Sequence, residues 1–213
     1  HLSTLVKRMK ASRPGALLLD GGDTWQGSGT SLWTNAQDMV DACKLLGVDV
    51  MTGHWEFTYG MERVKEIVEK DFKGKIDFVA QNIKTADFGD PVFAPYTMKE
   101  MNGVKVAVIG QAFPYTPIAN PRYMVSEWSF GIQEERMQAM VSEARAKGAQ
   151  VVIVRSQEID MVGETGAYHA RQVMDTVIDN LARAIRKLAA AGIEHAVVSA
   201  DHGHLFFAND RDE

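Results

Sequence analysis

Six short apolar runs, Ala16 to Leu19, Val48 to Met51, Ile76 to Ala80, Val104 to Ile109, Val151 to Val154 and Ala196 to Ser199, recur along this chain with segments of helical period between them. Strand-length runs separated by amphipathic helices bury their apolar faces by layering helices on a sheet, so the alternation points to an α/β architecture. Val64, Ile67 and Val68 share one helical face, and Val141 and Ala144 share another. The strongest pattern is C-terminal, where Val173, Val177, Leu181, Ile185 and Leu188 recur at steps of three and four, with Arg183, Arg186 and Lys187 on the wet side and Gly192 as the stop. Two regions interrupt the alternation. Residues 81 to 103 read as a loop and an antiparallel excursion, broken by Pro91 and Pro95 and turned at Asn102-Gly103. Residues 111 to 130 form a long aromatic loop fixed by Pro114, Pro117 and Pro121, a kind of segment that more often serves function than decoration.

Composition narrows the class. With 213 residues, 46% hydrophobic and 24% charged, the chain is long enough for one large domain or a domain and a half with a real core. A net charge of -5 with no run of Lys and Arg argues against a nucleic-acid or anionic-membrane partner, which needs a concentrated positive footprint. No apolar run approaches the roughly 18 to 20 residues of a membrane helix, and no charged-then-apolar leader opens the chain. The chain begins at His1, which leads to the expectation of a fragment or a processed chain. The single Cys43 falls in a helical run between Val40 and Leu46, reads as a small buried hydrophobe, and allows no intramolecular disulfide.

In open α/β sheets ligands bind beyond the carboxyl ends of the strands, so the polar residues that follow each run are the informative ones. Asp20-Gly21-Gly22-Asp23-Thr24 follows the first run, Thr52-Gly53-His54-Trp55-Glu56 the second, Gln81-Asn82 the third and Gly110-Gln111 the fourth. Carboxylate oxygen and imidazole nitrogen suit manganese, iron or zinc, and the neighbouring glycines let backbone approach such a centre. Residue type leaves a second reading open, in which the Asp is a turn residue and the His a structural one.

The segment HLSTLVKRMKASRPGALLLDGGDTWQGSGTSLWTNAQDMVDACKLLGVDVMTGHWEFTYG resembles the metallophosphoesterase domain of the SoxB thiosulfohydrolases of bacterial sulfur oxidation, relatives of the 5'-nucleotidases. The resemblance continues through QNIKTADFGDPVFAPYTMKEMNGVKVAVIGQAFPYTPIANPRYM and GIQEERMQAMVSEARAKGAQVVIV, covering residues 1–154. It implies a di-metal hydrolase with two divalent ions, manganese by the same likeness, in which Asp23 matches a bridging carboxylate. His54 falls where the wider family has the metal-binding Asn of a Gly-Asn-His-Glu motif. Trp55 then replaces a His that stabilises the phosphoryl transition state, and Glu56 matches a Glu that fixes the loop or the ligand imidazole. The implied substrate is a cysteine S-thiosulfonate on the SoxYZ carrier protein, hydrolysed to release sulfate in the periplasm. The aromatic loop from Gln111 to Trp128 would wall the carrier's path, or else simply pack on itself.

The pattern then departs. The family's Asp-x-His motif is absent upstream, which leads to the expectation of N-terminal truncation, and where the family continues Ser-His-Asn-Gly after the strand at Val151, this chain reads Arg155-Ser156-Gln157-Glu158. From Arg155 the sequence RSQEIDMVGETGAYHARQVMDTVIDNLARAIRKLAAAGIEHAVVSADHGHLF is similar to PglZ domains of the alkaline phosphatase superfamily, cytoplasmic proteins whose Asp-His-Gly motif binds metal, here Asp201-His202-Gly203. Asp201 and His202 are equally readable as a polar turn after the strand at Ala196. The expectation is therefore a layered, incomplete metallophosphoesterase-like α/β sandwich over residues 1–154, and a helix-strand unit of a second α/β family over 155–213. Such a chimera would carry too few ligands for activity by itself.

Overall fold

The computed structural model describes residues 1–153 together with residues 179, 182, 183, 185 and 186. The chain divides into two compact units, His1–Arg155 and Ser156–Glu213. In the second unit the described positions are helical. The rest of the expected C-terminal helix, its Gly192 stop and the strand at Ala196 lie outside the described residues.

The first unit opens with α1 (Leu2–Ala11), β1 (Leu19–Asp20), α2 (Gly29–Trp33), α3 (Gln37–Leu46) and β2 (Val50–Met51). A 3-10 turn at Trp55–Tyr59 leads into α4 (Met61–Glu66), which runs on as a π turn at Ile67–Asp71 before β3 (Asp77–Phe78). Then come β4 (Lys84–Thr85), β5 (Tyr96–Met101), β6 (Val104–Ile109), α5 (Thr116–Ala119), a 3-10 turn at Arg122–Val125, β7 (Trp128–Ser129), α6 (Glu134–Ala146) and β8 (Val151–Ile153). Local chemistry sets the boundaries. Ser28 caps α2 by accepting the Ser31 N–H at 3.0 Å, and Gly47, in the left-handed region at φ 81°, closes α3. Asn102 and Gly103, both at positive φ, make the tight turn that pairs Met101 with Val104 in the β5–β6 hairpin.

Strands β1, β2 and β3 form one parallel sheet in that order, and β5, β6 and β8 form a second, antiparallel at β5–β6 and parallel at β6–β8. Strands β4 and β7 pair as a separate antiparallel ribbon. The strand expected from residue 16 forms only at Leu19–Asp20, because the Leu18 N–H is taken by the Asp49 carboxylate at 2.7 Å instead of by the ladder. Alternate residues of β2 face opposite ways. Val50 joins a core with Val79, Val106 and Val108, so apolar side chains of the two three-stranded sheets pack together. Met51 joins the larger core, with Trp25, Phe57, Phe72 and Phe78, beneath the helices α3 and α4. Fully burying side chains of this size contributes about 1.5–3 kcal/mol each relative to leaving them exposed. The expected layered α/β sandwich is the architecture the described residues adopt, and none of their helices is long and apolar enough to cross a membrane.

Candidate functional site

The parallel sheet delivers its two polar loops to one edge, and a buried carboxylate joins them. Glu56 is fully buried in the first turn after β2. Its Oε2 accepts the backbone N–H groups of His54 at 2.6 Å and Asp23 at 3.0 Å, while Oε1 accepts those of Thr24 at 2.7 Å and Trp25 at 3.3 Å. Four backbone donors from two loops thus converge on one side chain. Gly22 lies between the loops at φ 89°, and a Cβ there would stand 2.7 Å from the His54 nitrogen and 2.9 Å from the Thr52 carbonyl. Only glycine satisfies both the left-handed conformation and the close approach.

Asp20 closes the first loop from within. Its carboxylate accepts the Gly22 N–H at 2.9 Å and the Thr24 hydroxyl at 2.8 and 3.0 Å, and the thiol of Cys43 lies 4.0 Å from Oδ2. Burial, reinforced by the charges of Asp20 and Glu56, pushes the Cys43 thiol up to about 12, so it is a protonated core group at neutral pH. Asp23, at φ 63°, holds the left-handed backbone that Asp tolerates better than most residues, and it is exposed at the loop tip.

His54 is half-buried, and its imidazole meets an aromatic cluster. Its ring centroid lies 4.4 Å from that of Phe113 at an interplanar angle of 32°, and 5.6 Å from that of Trp55. Trp55 and Tyr115 each approach Phe113 at 5.9 Å. The Pro-rich loop therefore touches the site through Phe113, whose N–H also donates to the Gly53 carbonyl at 3.0 Å.

The structure thus brings Asp23, His54, Trp55 and Glu56 to one edge of the sheet. Glu56 holds the backbone of both loops, including the N–H of His54. Asp201 and His202 lie outside the described residues. Sequence reasoning noted Gln81 and Asn82 only as residues that follow a strand. In the structure both are fully buried, and the Asn82 amide accepts the Ala112 N–H at 2.8 Å while donating to the carbonyls of Ala112 and Gly131 at 2.9 and 3.1 Å. Their position after β3, matching that of the Asp and His loops after β1 and β2, was the available signal.

Asp23 and His54 are donors of the kind a divalent ion accepts, but the neighbouring carboxylates of Asp20 and Glu56 are engaged with hydroxyl and backbone N–H groups. Among the described residues no three His, Cys, Asp or Glu side chains gather to hold a metal ion. Two donors do not fit a two-ion centre, which needs several ligands for each ion.

The mixed α/β sandwich of the described residues matches the fold of solved metallophosphoesterases and 5'-nucleotidases, and the sequence is similar to members of both groups. The sulfate thiohydrolase SoxB of Thermus thermophilus shares 36% identity with this chain at a TM-score of 0.69, over 77% of this chain and 31% of that one. The calcineurin-like phosphoesterase YfkN of Bacillus subtilis shares the fold, with a TM-score of 0.62 and 19% identity over 77% of this chain and 59% of that one. A 5'-nucleotidase of Rattus norvegicus is 29% identical over 127 residues, 57% of this chain and 22% of that protein. The chain therefore spans less than a third of the SoxB chain and of the rat relative. No protein-family model matches it.

Proposed function

We propose that this chain is part of a metal-dependent hydrolase of the SoxB type, acting on a cysteine S-thiosulfonate carried by a SoxYZ-like protein outside the cytoplasmic membrane. The observation that carries the proposal is the 36% identity with SoxB over 77% of the chain. In the reaction, water adds to the sulfonate sulfur, the bond to the neighbouring sulfur breaks, and sulfate leaves with two protons while the carrier keeps a persulfide. The described residues supply the framework: Glu56 sets the spacing of the Asp23 and His54 loops, and the rings of Trp55 and Phe113 form an apolar flank beside His54. The described donors by themselves number too few to hold a pair of metal ions. Metal dependence rests on the family likeness and on its test.

That test is elemental analysis of the 213-residue chain after manganese loading, beside the double variants Asp23→Ala with His54→Ala and Asp201→Ala with His202→Ala. Bound manganese that only the first double variant loses is the result that supports Asp23 and His54 as ligands, and a chain that binds none would overturn metal binding by these two donors alone. Loss confined to the second would move the metal site to the C-terminal segment and overturn the assignment of Asp23 and His54. Substrate class is read separately, as sulfate released from an S-thiosulfonate carrier peptide against phosphate released from a nucleoside monophosphate. Preferential phosphate release would replace the proposal with the nucleotidase reading that the rat relative supports.

A further inference from the structure

We propose that Phe113 is a positioning residue that holds the His54 imidazole in one plane, and that the loop from Gln111 to Thr116 is built to deliver its ring. The proposal rests on the reading of His54 as a site residue. At 4.4 Å between centroids and 32° between planes, the two rings lie in a tilted stack and not edge to face. Such a stack restricts rotation of the imidazole about its ring bond in a way that an edge contact does not. Trp55 and Tyr115 buttress Phe113 from other sides, the latter edge-on at 75°.

The backbone beneath the ring is held at every polar group. The Asn82 amide takes both the N–H and the C=O of Ala112. The Phe113 N–H donates to Gly53, in the same loop as His54, and the Phe113 carbonyl accepts the Thr116 hydroxyl at 2.8 Å. Both anchoring side chains, Asn82 and Thr116, are fully buried. Pro114 restricts Phe113 further, because a residue before proline is confined to extended backbone. A loop that merely covered a surface would leave such groups to water. Here two consecutive residues are pinned on both sides, and the product of the pinning is one ring against one imidazole. An imidazole held in advance spares a ligand the entropy of ordering it, which is how supporting residues raise the affinity of the groups they touch.

The test uses the labelled full chain at one fixed pH and reads the imidazole resonances of His54, assigned by their loss in His54→Gln. In the wild type these ring protons are shielded by the Phe113 face and show a cross-relaxation contact with its ring. Phe113→Tyr keeps both features, and Phe113→Leu, which fills space without a ring, loses the shielding and narrows the imidazole lines while the rest of the amide spectrum stays in place. Retention of the shielded, ordered imidazole in Phe113→Leu would overturn the proposal. Absence of the ring contact in the wild type would do the same without any variant. Manganese added to each sample separates this from the functional reading. Broadening of His54 that needs roughly 10-fold or more manganese in Phe113→Leu supports positioning, and equal broadening in both overturns it. If manganese broadens His54 in no sample, the metal reading fails and the ring readout alone decides the role of Phe113.

Discussion

Glu56 and Asn82 are both fully buried and both tie distant loops to the same edge of the molecule, yet they do so with opposite chemistry. Glu56 only accepts, and it collects the N–H groups of Asp23, Thr24, Trp25 and His54. Asn82 donates and accepts, and it takes the N–H of Ala112 with the carbonyls of Ala112 and Gly131. The difference follows from the backbone each must satisfy. Loops that curl around a point aim their N–H groups inward and need an anion. A strand-like segment presents a donor and an acceptor together and needs an amide.

The comparison breaks most visibly at Glu56. Removing its side chain leaves buried donors in two loops without a partner, each worth about 1–3 kcal/mol. With water entering to meet part of that, Glu56→Ala should lose at least ~4 kcal/mol, a large share of the ~5–15 kcal/mol that holds a typical domain together. Urea denaturation reads this directly. A loss under ~1 kcal/mol would mean that the convergence of donors on Glu56 contributes little. Glu56→Gln keeps the shape but turns an NH2 group toward one pair of backbone donors, and it should cost about 2–3 kcal/mol.

The reciprocal exchange sharpens the contrast. Asn82→Asp replaces the amide donors with a carboxylate oxygen that faces two backbone carbonyls, and at neutral pH it should cost about 2–3 kcal/mol. Desolvation and the facing carbonyls raise the new carboxyl above its unfolded value, so the penalty grows as pH rises through the carboxylate range and shrinks on acidification. Denaturant midpoints of the variant and the wild type should therefore converge as the pH falls toward about 4. A penalty independent of pH would mean that the amide donors at position 82 are not what the site requires. Gly22→Ala tests how closely the Glu56-bound loops approach. Its Cβ would press on the His54 nitrogen from a left-handed backbone, and a loss of ~1–3 kcal/mol is expected. Tolerance of alanine there would show that the loops stand further apart.

Which of these features the sequence could show depends on the range of the interaction. Strand β6 forms over Val104–Ile109, the full apolar run, because a hairpin with an Asn-Gly turn is specified by neighbours. The first run yields only Leu19–Asp20, because Asp49, far along the chain, captures the Leu18 N–H. The loops at Asp23 and His54 were legible as polar residues after strands. Helix α1 was not foreseen, and it has no buried residue. Its face of Leu2, Leu5 and Met9 stays more than half exposed, so an apolar pattern there carried no information about a core. The role of Asn82 was equally hidden, since its partners at Ala112 and Gly131 are set by the return of a loop tens of residues away.

The smallest effect expected lies beneath the Glu56 loops, at Cys43. Its thiol ionises at about 12 in the folded chain against 9.0 for the free group, through burial and then the carboxylates of Asp20 and Glu56. A group held in its neutral form by folding contributes stability that is fully present below the unfolded value and is lost as pH rises through the gap. Between pH 8 and pH 10 the wild type should therefore lose ~1 kcal/mol that Cys43→Ala does not lose, whatever constant penalty the smaller side chain imposes. Tyr59, raised by burial as well, titrates in the same sense in both proteins and drops out of the difference. Parallel pH profiles for the two proteins would mean that the thiol is neither buried nor facing the carboxylates of Asp20 and Glu56 as the structure has it. A divergence that shrinks when Glu56→Gln is added would assign part of the shift to the same carboxylate that holds the Asp23 and His54 loops.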